Sequence, residues 1–384
     1  MQLRLSDMQT LVQKTARDYA KRVLIPQAAS IDRSEAIPRP VLQGLADLGL
    51  MAVNVPAELG GSAAGVVSYA LAMQEVARGC ASTAVTMAVT NMVGEVIAAF
   101  GTGAQKEHCC PKLASGEWAA ASFALSEPEA GSDPGGMRTT ARQDGEDWVL
   151  DGAKQWITSG AFAGVLVVWA RTAPRETHPG ARGVSCFLAP GGTPGLRVGR
   201  AEDKMGLRGS NTAALELDAC RLPRSALLGD LHGGFKIAMM ALDGGRIGIS
   251  AQAIGIARAA LEESVAYAKE RKQFDRPIAD FQAIQWKLAD MKTELDAAHL
   301  LCMRAAWLKE ERRVFSRDAS MAKLFSTEAA FAACQEAVQI HGGYGYTREF
   351  AAERHLRDVR AAMIYEGTSE IQRVVIGRSV LGPI

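Results

Sequence analysis

The sequence predicts a multi-domain α+β protein with an N-terminal helical domain, a middle antiparallel β-barrel or sandwich, and a C-terminal four-helix bundle. Apolar residues recur at helical spacing up to about residue 117, and short strand-forming segments occupy 118–229. The helical spacing then returns over 230–384. At 384 residues the chain exceeds the length that a single hydrophobic core usually serves, so two or three domains are expected.

The first predicted domain, 1–117, opens with a capping box. Ser6 is followed three residues later by Gln9, and an apolar helical stripe runs on and ends before Pro26. The segment 82–100 is the most apolar, but it contains an asparagine and a glutamate, which favours a buried helix over a membrane span. The further helices expected here, separated by glycine-containing turns, cover 41–50, 66–77, 82–100 and 105–113.

The second predicted domain, 118–229, consists of short segments rich in strand-forming residues. Asp144-Gly145 and Asp151-Gly152 separate some of these segments and are typical of hairpin turns. Such a pattern predicts a small antiparallel barrel or sandwich. The expected strands cover 137–142, 148–150, 154–158, 165–170, 184–189 and 212–217.

The third predicted domain, 230–384, is helical. Apolar residues from Ile284 to Ala305 alternate steps of four and three, which is the seam of a long bundle helix. Ser369 and Gln372 fit a second capping box, so the closing helix is expected to start near Ser369. The other helices of the bundle are expected over 254–268, 320–338 and 370–380.

Composition excludes several classes of protein. The net charge is +1, from 43 basic and 42 acidic side chains without long runs, so nothing indicates a nucleic-acid or anionic-membrane surface. The seven cysteines lack CxxC spacing and partnering histidines, which favours reduced thiols over a disulfide frame or a metal site. The N-terminus resembles neither a signal nor a transit peptide. A cytoplasmic location is expected, or the mitochondrial matrix for a processed eukaryotic chain.

Glu366 is the residue around which the predicted chemistry is arranged. It lies before the closing helix and shortly after the apolar residues 361–364. In such surroundings its carboxylate should lose hydration, and its pKa should rise toward the range of a general base. Gly367 and Thr368 leave N–H groups near a helix N-terminus, which can hold a carbonyl oxygen that gains negative charge. The alternative, from these residues alone, is a solvated glutamate just outside a C-terminal helix.

Two segments of the middle domain are candidates for holding a planar cofactor. Ser126 and Ser132 lie in an irregular loop whose hydroxyl and N–H groups can hydrogen-bond a polar heterocycle or a phosphate, although a plain surface turn would look similar. Trp156, beside a hydroxyl at a strand end, can lie against a planar ring. For this residue a buried tryptophan of the domain core is the alternative.

Two segments of the C-terminal domain suit a phosphate-containing ligand. Arg271-Lys272 lies at a helix junction and can bind a pyrophosphate, although a solvated surface is the alternative. The glycine-rich turn at 339–346 ends a helix and permits close backbone approach. The sequence contains no GxGxxG fingerprint, so a dinucleotide here would be bound without a Rossmann fold.

Seven segments spread along essentially the whole chain are FALSEPEAGSD, WITSG, KMGLRGSNT, LDGGRIGIS, RKQFDRPIADFQ, QIHGGYGY and MIYEGTSEIQ. Together they resemble the acyl-CoA dehydrogenase family, in family order and at family-like spacing. The resemblance implies a homotetrameric, FAD-dependent enzyme that oxidises the Cα–Cβ bond of an acyl-CoA to the trans-2-enoyl thioester. It also implies an electron-transferring flavoprotein as partner and favours a straight, short-to-medium acyl chain.

By matched motif, the resemblance implies that Glu366 removes the α-proton while the β-hydrogen leaves as hydride to flavin N5. Gly245 aligns with the position where some branched-chain and long-chain members carry the base, which leaves Glu366 as the only candidate. The residues implied to hold the isoalloxazine are Phe123, Leu125, Ser126, Ser132, Trp156, Ile157 and Thr158.

The resemblance also implies contacts to the rest of FAD and to the substrate. Asp243 and Arg246 are implied to lie beside the CoA moiety, and Ser132 and Gly367 to face the substrate. The residues implied to contact the FAD diphosphate and adenine, often across a subunit interface, are Arg271, Gln282, Gln339, Gly342 and Gly343, with Thr368 and Glu370 making further FAD contacts.

Two other hypotheses remain open at this point. One is a flavin-dependent dehydrogenase or oxidase that acts on a carrier-protein-bound or non-fatty acyl thioester in a biosynthetic pathway. The other is a non-catalytic member that binds acyl-CoA or a partner protein. The non-catalytic hypothesis predicts a missing base or a damaged flavin loop, and both Glu366 and the flavin segments are present.

Overall fold

The computed structural model describes residues 4–382 and confirms the predicted architecture, in which a β domain lies in sequence between two helical domains. Ser6 and Gln9 form the predicted capping box at the start of the first helix. The N-terminal helices are α1 (Asp7–Tyr19), α2 (Ile25–Ser34), α3 (Arg39–Asp47), α4 (Val66–Gly79), α5 (Ala81–Phe100) and α6 (Gly103–Ala114).

The first helix, α1, ends at Tyr19, before Pro26 as predicted, but the chain stays helical across Pro26. A π-helical stretch, Ala20–Leu24, connects α1 to α2, and Pro26 lies in the first turn of α2. Proline is tolerated there because a first-turn N–H has no partner within its own helix.

The apolar helix α5 is buried in the fold. Within residues 4–382 it is the one helix long and apolar enough to cross a membrane, and 78% of its most apolar 18-residue window is buried inside the protein. It packs between α4, α6, the long C-terminal-domain helix Gly234–Glu270 and the first strand of the β domain. Its composition is therefore explained by its central position in the protein core.

The middle domain is an eight-stranded sheet in the order β6-β7-β3-β2-β4-β5-β8, with β1 paired to β4. Most pairs are antiparallel as predicted, but β4 runs parallel to its partners β1 and β2, so the sheet is mixed. The strands are β1 (Ala121–Ala124), β2 (Thr140–Asp144), β3 (Asp147–Thr158), β4 (Val165–Arg171), β5 (Val184–Pro190), β6 (Leu196–Ala201), β7 (Thr212–Pro223) and β8 (Leu227–Leu228).

Only one of the two predicted hairpin turns is a turn. Asp144-Gly145 ends β2, and Gly145 has the positive φ of +64° that such a turn requires. Asp151-Gly152 lies inside β3, so two predicted strands are one. At Gly152 a Cβ atom would come within 2.5 Å of Thr139 Oγ1, so this glycine permits a close approach of two chain segments.

The C-terminal domain is built on α7, a 37-residue helix that packs against α4, α5, α8 and α9. A single apolar core therefore contains residues from both helical domains. Helix α10 was not predicted, because polar residues such as His355 and Asp358 occupy its buried face. The elements are α7 (Gly234–Glu270), a hairpin of β9 (Lys272–Gln273) and β10 (Arg276–Pro277), α8 (Gln282–Glu310), α9 (Ser316–His341), α10 (Ala352–Arg360) and α11 (Ser369–Leu381).

A buried ion pair ties the loop after β1 to the middle of β3. Lys154 Nζ lies 2.7 Å from Glu127 Oε1, and the Glu127 carboxylate also accepts the N–H groups of Arg138 and Thr139. Burial lowers the pKa of Lys154 to about 8, and the charge of Glu127 opposes that shift. Both side chains are nearly inaccessible to solvent, so the two charges compensate each other in the protein interior.

We expect Lys154→Met to lower the free energy of unfolding by about 3–5 kcal/mol, because it leaves the Glu127 carboxylate buried without a counter-charge. Chemical denaturation followed by circular dichroism measures this loss. The double variant Glu127→Gln with Lys154→Met carries no unpaired charge and should regain part of the lost stability. A loss below about 1 kcal/mol in the single variant would show that the pair contributes little.

Candidate active site

Glu366 lies in the segment between α10 and α11 with an unusual backbone conformation. Its φ is +53° and that of Gly367 is +91°, so two consecutive residues occupy the left-handed region. This conformation brings the Glu366 carboxylate against α7. A Cβ atom added at Gly245 would come within 2.0 Å of Glu366 Oε2, so the carboxylate fits there because residue 245 has no side chain.

The Glu366 carboxylate is poorly hydrated. Its Oε2 atom is buried and has no hydrogen-bond partner among residues 4–382. Burial raises the pKa of Glu366 to about 7, while the nearby charges of Lys323 and Arg246 act in the opposite direction. A carboxylate with these properties is suited to accept a proton near neutral pH. The side chain is half-buried and its Oε2 atom is shielded from solvent, which argues against the alternative of a solvated glutamate.

The loop that carries Glu366 is held from two sides. Lys323 Nζ donates to the Gly367 carbonyl oxygen at 2.5 Å, and Gln372 Nε2 donates to the same oxygen at 2.8 Å. The predicted Ser369–Gln372 capping box was wrong by one residue. Thr368 caps α11 by accepting the Ile371 N–H, which leaves the Gln372 side chain free to bind the loop.

Asp243 and Arg246 lie one turn apart on α7, beside Glu366. Arg246 Nη1 donates to Asp243 Oδ1 at 2.5 Å, and the Ser316 hydroxyl donates to the same carboxylate oxygen at 3.0 Å. Burial raises the pKa of Asp243, and the charge of Arg246 opposes that rise. The structure therefore brings Asp243, Arg246, Glu366 and Gly367 into one cluster at the centre of the C-terminal domain.

A second cluster joins the loop after β1 to the end of β3. Gln155 N–H donates to the Ser126 carbonyl oxygen at 3.0 Å, and Ser122 Oγ donates to the Thr158 carbonyl oxygen at 2.7 Å. Phe123 packs on the ring of Trp169. The loop that follows exposes Ser132 and Gly131, and a Cβ atom added at Gly131 would meet nothing within 4 Å.

Trp156 and Ile157 differ in what they can offer a ligand. Trp156 is 61% exposed with a φ of +64°, so the alternative of a core tryptophan was wrong. An exposed indole held at a strand end can stack against a planar ring. The side chains of Ile157 and Leu125 are buried in the two apolar cores of this region. These two residues can therefore contact a ligand only through their backbone N–H and C=O groups.

A third cluster surrounds a cavity of about 490 Å³ between the ends of α7 and α9. The Arg271 guanidinium lies 5.5 Å from the centre of the Tyr344 ring, and Gly342 and Gly343 face open space. Gln282 and Gln339 are exposed and do not line the cavity. The lining residues are Tyr267, Arg271, Gln273, Ile278, Ile340, His341, Gly342, Gly343, Tyr344 and Thr347.

These features fit the two halves of a flavin dinucleotide. The second cluster offers an exposed indole, free hydroxyls and N–H groups for a planar heterocycle, and the third offers a cation beside glycines for a diphosphate. Within residues 4–382, no hydrogen bond or ion pair joins the two clusters. Thr368 and the exposed Glu370 lie at the N-terminus of α11, next to the Glu366 loop.

Two candidate functional residues were not predicted from the sequence. They are Lys323, and Gln372 as a residue that binds the Glu366 loop, since Gln372 was predicted only as part of a capping box. Lys323 shares a helix face with Ala319, Ser326 and Ala330, all of which are buried, so the spacing contained a signal for its burial. No group of three or more His, Cys, Asp or Glu side chains suited to a metal occurs in the described part of the chain.

Known proteins match this chain along almost its whole length. Three protein families match the chain in order: the acyl-CoA dehydrogenase N-terminal domain over residues 6–117, the middle domain over 122–220 and the C-terminal domain over 232–381. The chain is 48% identical to the short-chain specific acyl-CoA dehydrogenase of Bos taurus mitochondria over 379 residues, covering 98% of this chain and 91% of that protein.

Two solved structures match the chain over its whole length. One is butyryl-CoA dehydrogenase from Megasphaera elsdenii, with 40% identity, a TM-score of 0.96 and full coverage of both chains. The other, a chain in a structure described as the electron transferring flavoprotein of Acidaminococcus fermentans, has 39% identity, a TM-score of 0.97 and full coverage of both chains. With all three domains matched at these identities, the chain belongs to the acyl-CoA dehydrogenase family of FAD-dependent oxidoreductases.

Proposed function

We propose that this acyl-CoA dehydrogenase oxidises a straight, short-chain acyl-CoA to its trans-2-enoyl-CoA, with Glu366 as the general base. The observation that carries the proposal is the buried Oε2 of Glu366, which has no hydrogen-bond partner among residues 4–382 and lies against Gly245. FAD, when bound, supplies the acceptor for the hydride that leaves Cβ. The remaining steps depend on the side chains and backbone groups of this chain.

The α-proton of a thioester is weakly acidic, so its removal needs both a base and donors for the enolate oxygen. Glu366 Oε2 has free lone pairs and a pKa raised to about 7, which matches the carboxylate to proton transfer near neutral pH. The Glu366 N–H has no backbone acceptor within residues 4–382, so it is available to the thioester carbonyl. Exclusion of water by the bound acyl chain would strengthen that hydrogen bond.

The preference for a straight, short chain rests on two observations. Two of the relatives, at 48% and 40% identity, are a short-chain specific acyl-CoA dehydrogenase and a butyryl-CoA dehydrogenase. Gly245, whose counterpart carries the base in some branched-chain and long-chain members, has no side chain here and makes room for the Glu366 carboxylate. The Asp243–Arg246 pair and Ser132 are proposed to contact the CoA moiety and the thioester.

The proposal includes an electron-transferring flavoprotein as electron acceptor, a homotetramer and a cytosol-like compartment. Likeness to a chain from a structure of such a flavoprotein supports the acceptor. Within residues 4–382 no hydrogen bond or ion pair joins the two FAD clusters, which supports completion of the site by a second subunit. All seven cysteines are free and buried, which supports a reducing compartment.

Anaerobic addition of butyryl-CoA, octanoyl-CoA and isovaleryl-CoA to the FAD-loaded protein tests the substrate. We expect the yellow flavin absorbance to bleach fastest with butyryl-CoA. Bound flavin that no CoA thioester reduces would favour a carrier-protein or non-fatty substrate. With oxygen present, stoichiometric peroxide alongside the enoyl product would favour an oxidase.

The rate of butyryl-CoA oxidation is expected to rise with pH through about 7. The reaction needs the Glu366 carboxylate ionised, and burial raises the pKa of Glu366 from 4.5 to about 7, so activity is lost as pH falls through that value. Steady-state kcat/KM between pH 5 and 9 reports the pKa of the free enzyme. A rising limb centred near 4.5 would contradict the desolvated environment assigned to this carboxylate.

A further inference from the structure

Lys323 is a buried lysine without a paired carboxylate. It lies on α9 with none of its surface exposed, and its Nζ donates to the Gly367 carbonyl oxygen at 2.5 Å. No carboxylate within residues 4–382 comes within 4.0 Å of this ammonium, in contrast to Lys154, which pairs with Glu127. A buried cation is costly without compensation, so its retention at this place calls for a role.

The carbonyl that Lys323 binds belongs to the loop that aims the base. Glu366 and Gly367 both have positive φ, a conformation that a glutamate adopts only when its surroundings impose it. Lys323 and Gln372 donate to the same Gly367 oxygen and so fix the peptide that follows Glu366. Fixing this peptide directs the carboxylate at Gly245.

The charges around Glu366 come from several elements. Lys323 on α9 and Arg246 on α7 are the cations that oppose the effect of burial on Glu366, with Lys323 the stronger. Arg246 is itself compensated by Asp243. The other titratable groups that interact with these side chains are Tyr69 on α4, Tyr365 beside the base and Glu370 on α11.

We propose that Lys323 is a positioning residue for the catalytic base, holding the Gly367 carbonyl and supplying the charge that keeps the Glu366 carboxylate ionised in a dry site. This inference rests on the proposed role of Glu366. It separates two contributions, since Lys323 provides a hydrogen bond and a charge, whereas Gln372 provides a hydrogen bond to the same oxygen and no charge.

The test compares Lys323→Met with Gln372→Met in the FAD-loaded protein, using pH profiles for butyryl-CoA oxidation. We expect Gln372→Met to lower kcat about 10-fold without moving the midpoint of the rising limb, since only a hydrogen bond is lost. Lys323→Met should lower kcat at pH 7 about 30- to 100-fold and move the midpoint upward by about one pH unit. Raising the pH to 9 should recover part of the lost activity in Lys323→Met but not in Gln372→Met.

An unchanged midpoint in Lys323→Met, or a kcat within twofold of wild type, would overturn the inference. Bound-flavin absorbance and the melting temperature report whether each variant folds, and Lys323→Gln replaces Lys323→Met if the latter does not. Glu366→Gln is measured in parallel. If it stays active the proposed function fails, whereas an inactive Glu366→Gln with a normal Lys323→Met removes only the role of Lys323.

Discussion

Glu366→Gln is expected to lower kcat for butyryl-CoA oxidation by about 10³- to 10⁴-fold, because an amide of the same shape cannot accept the α-proton. The carboxylate has no other hydrogen-bonding task at Oε2, so its loss removes the base without leaving a buried partner unsatisfied. Flavin content and melting temperature should therefore stay close to wild type. Stopped-flow bleaching of the flavin under anaerobic conditions measures the rate of the chemical step.

A matched control is Glu328→Gln, the same chemical change on the surface of α9, where Glu328 forms an ion pair with Arg373. Exposed pairs of this kind contribute little to stability. The activity of Glu328→Gln should therefore change by less than twofold, and its free energy of unfolding by less than about 0.5 kcal/mol. If Glu366→Gln retained more than a tenth of the wild-type rate while binding butyryl-CoA, another group would have to be the base.

The functional site was predictable from the sequence where the residues that determine its chemistry follow one another in the chain. The apolar approach to Glu366 predicted a raised pKa, and burial raises it to about 7. Lys323 is different, because the groups that define its role lie on the Glu366 loop more than forty residues away in sequence. The helical spacing around Lys323 indicates that its side chain is buried, but the contact between its Nζ and the Gly367 carbonyl depends on the packing of the Glu366 loop, which local spacing does not contain.

The fold was predictable where one face of an element is apolar and the other is polar. Strand β6 was missed because all but its first residue are exposed, which removes the alternation that identifies a strand. Asp151-Gly152 was misassigned because the glycine serves a close approach to Thr139 and not a turn. The second error concerns a contact between two chain segments, which local residue patterns do not contain.

Gly245→Ala is expected to lower kcat by about 100-fold although it adds one methyl group and no charge. That methyl carbon would lie 2.0 Å from Glu366 Oε2, far inside van der Waals contact, so the carboxylate or helix α7 has to move. Helix α7 is packed against five other helices, and the loop is held by Lys323 and Gln372, so the carboxylate is the group that shifts. A displacement of about 1 Å at a catalytic group can cost about 10²-fold in rate.

Gly377→Ala provides the control for adding a methyl group to a helix. A Cβ atom at Gly377 in α11 would meet nothing within 4 Å, so the substitution should leave kcat unchanged and raise stability by about 0.5–1 kcal/mol. Steady-state kinetics and thermal denaturation of the two variants separate an effect of helix propensity from an effect on the carboxylate. A wild-type kcat in Gly245→Ala would mean that the carboxylate does not work from its position against α7.

Combining Gly245→Ala with Glu366→Asp tests whether the two residues act through one contact. Glu366→Asp alone withdraws the carboxylate by one methylene and should lower kcat by about 100-fold through misplacement of the base. The same withdrawal takes the carboxylate away from the added methyl group, so the double variant should lose less activity than the product of the two single losses. Residues in contact show such coupling, whereas independent sites give multiplicative effects. If the two losses multiply, Gly245→Ala does not act through its contact with the Glu366 carboxylate, and its effect arises elsewhere on α7.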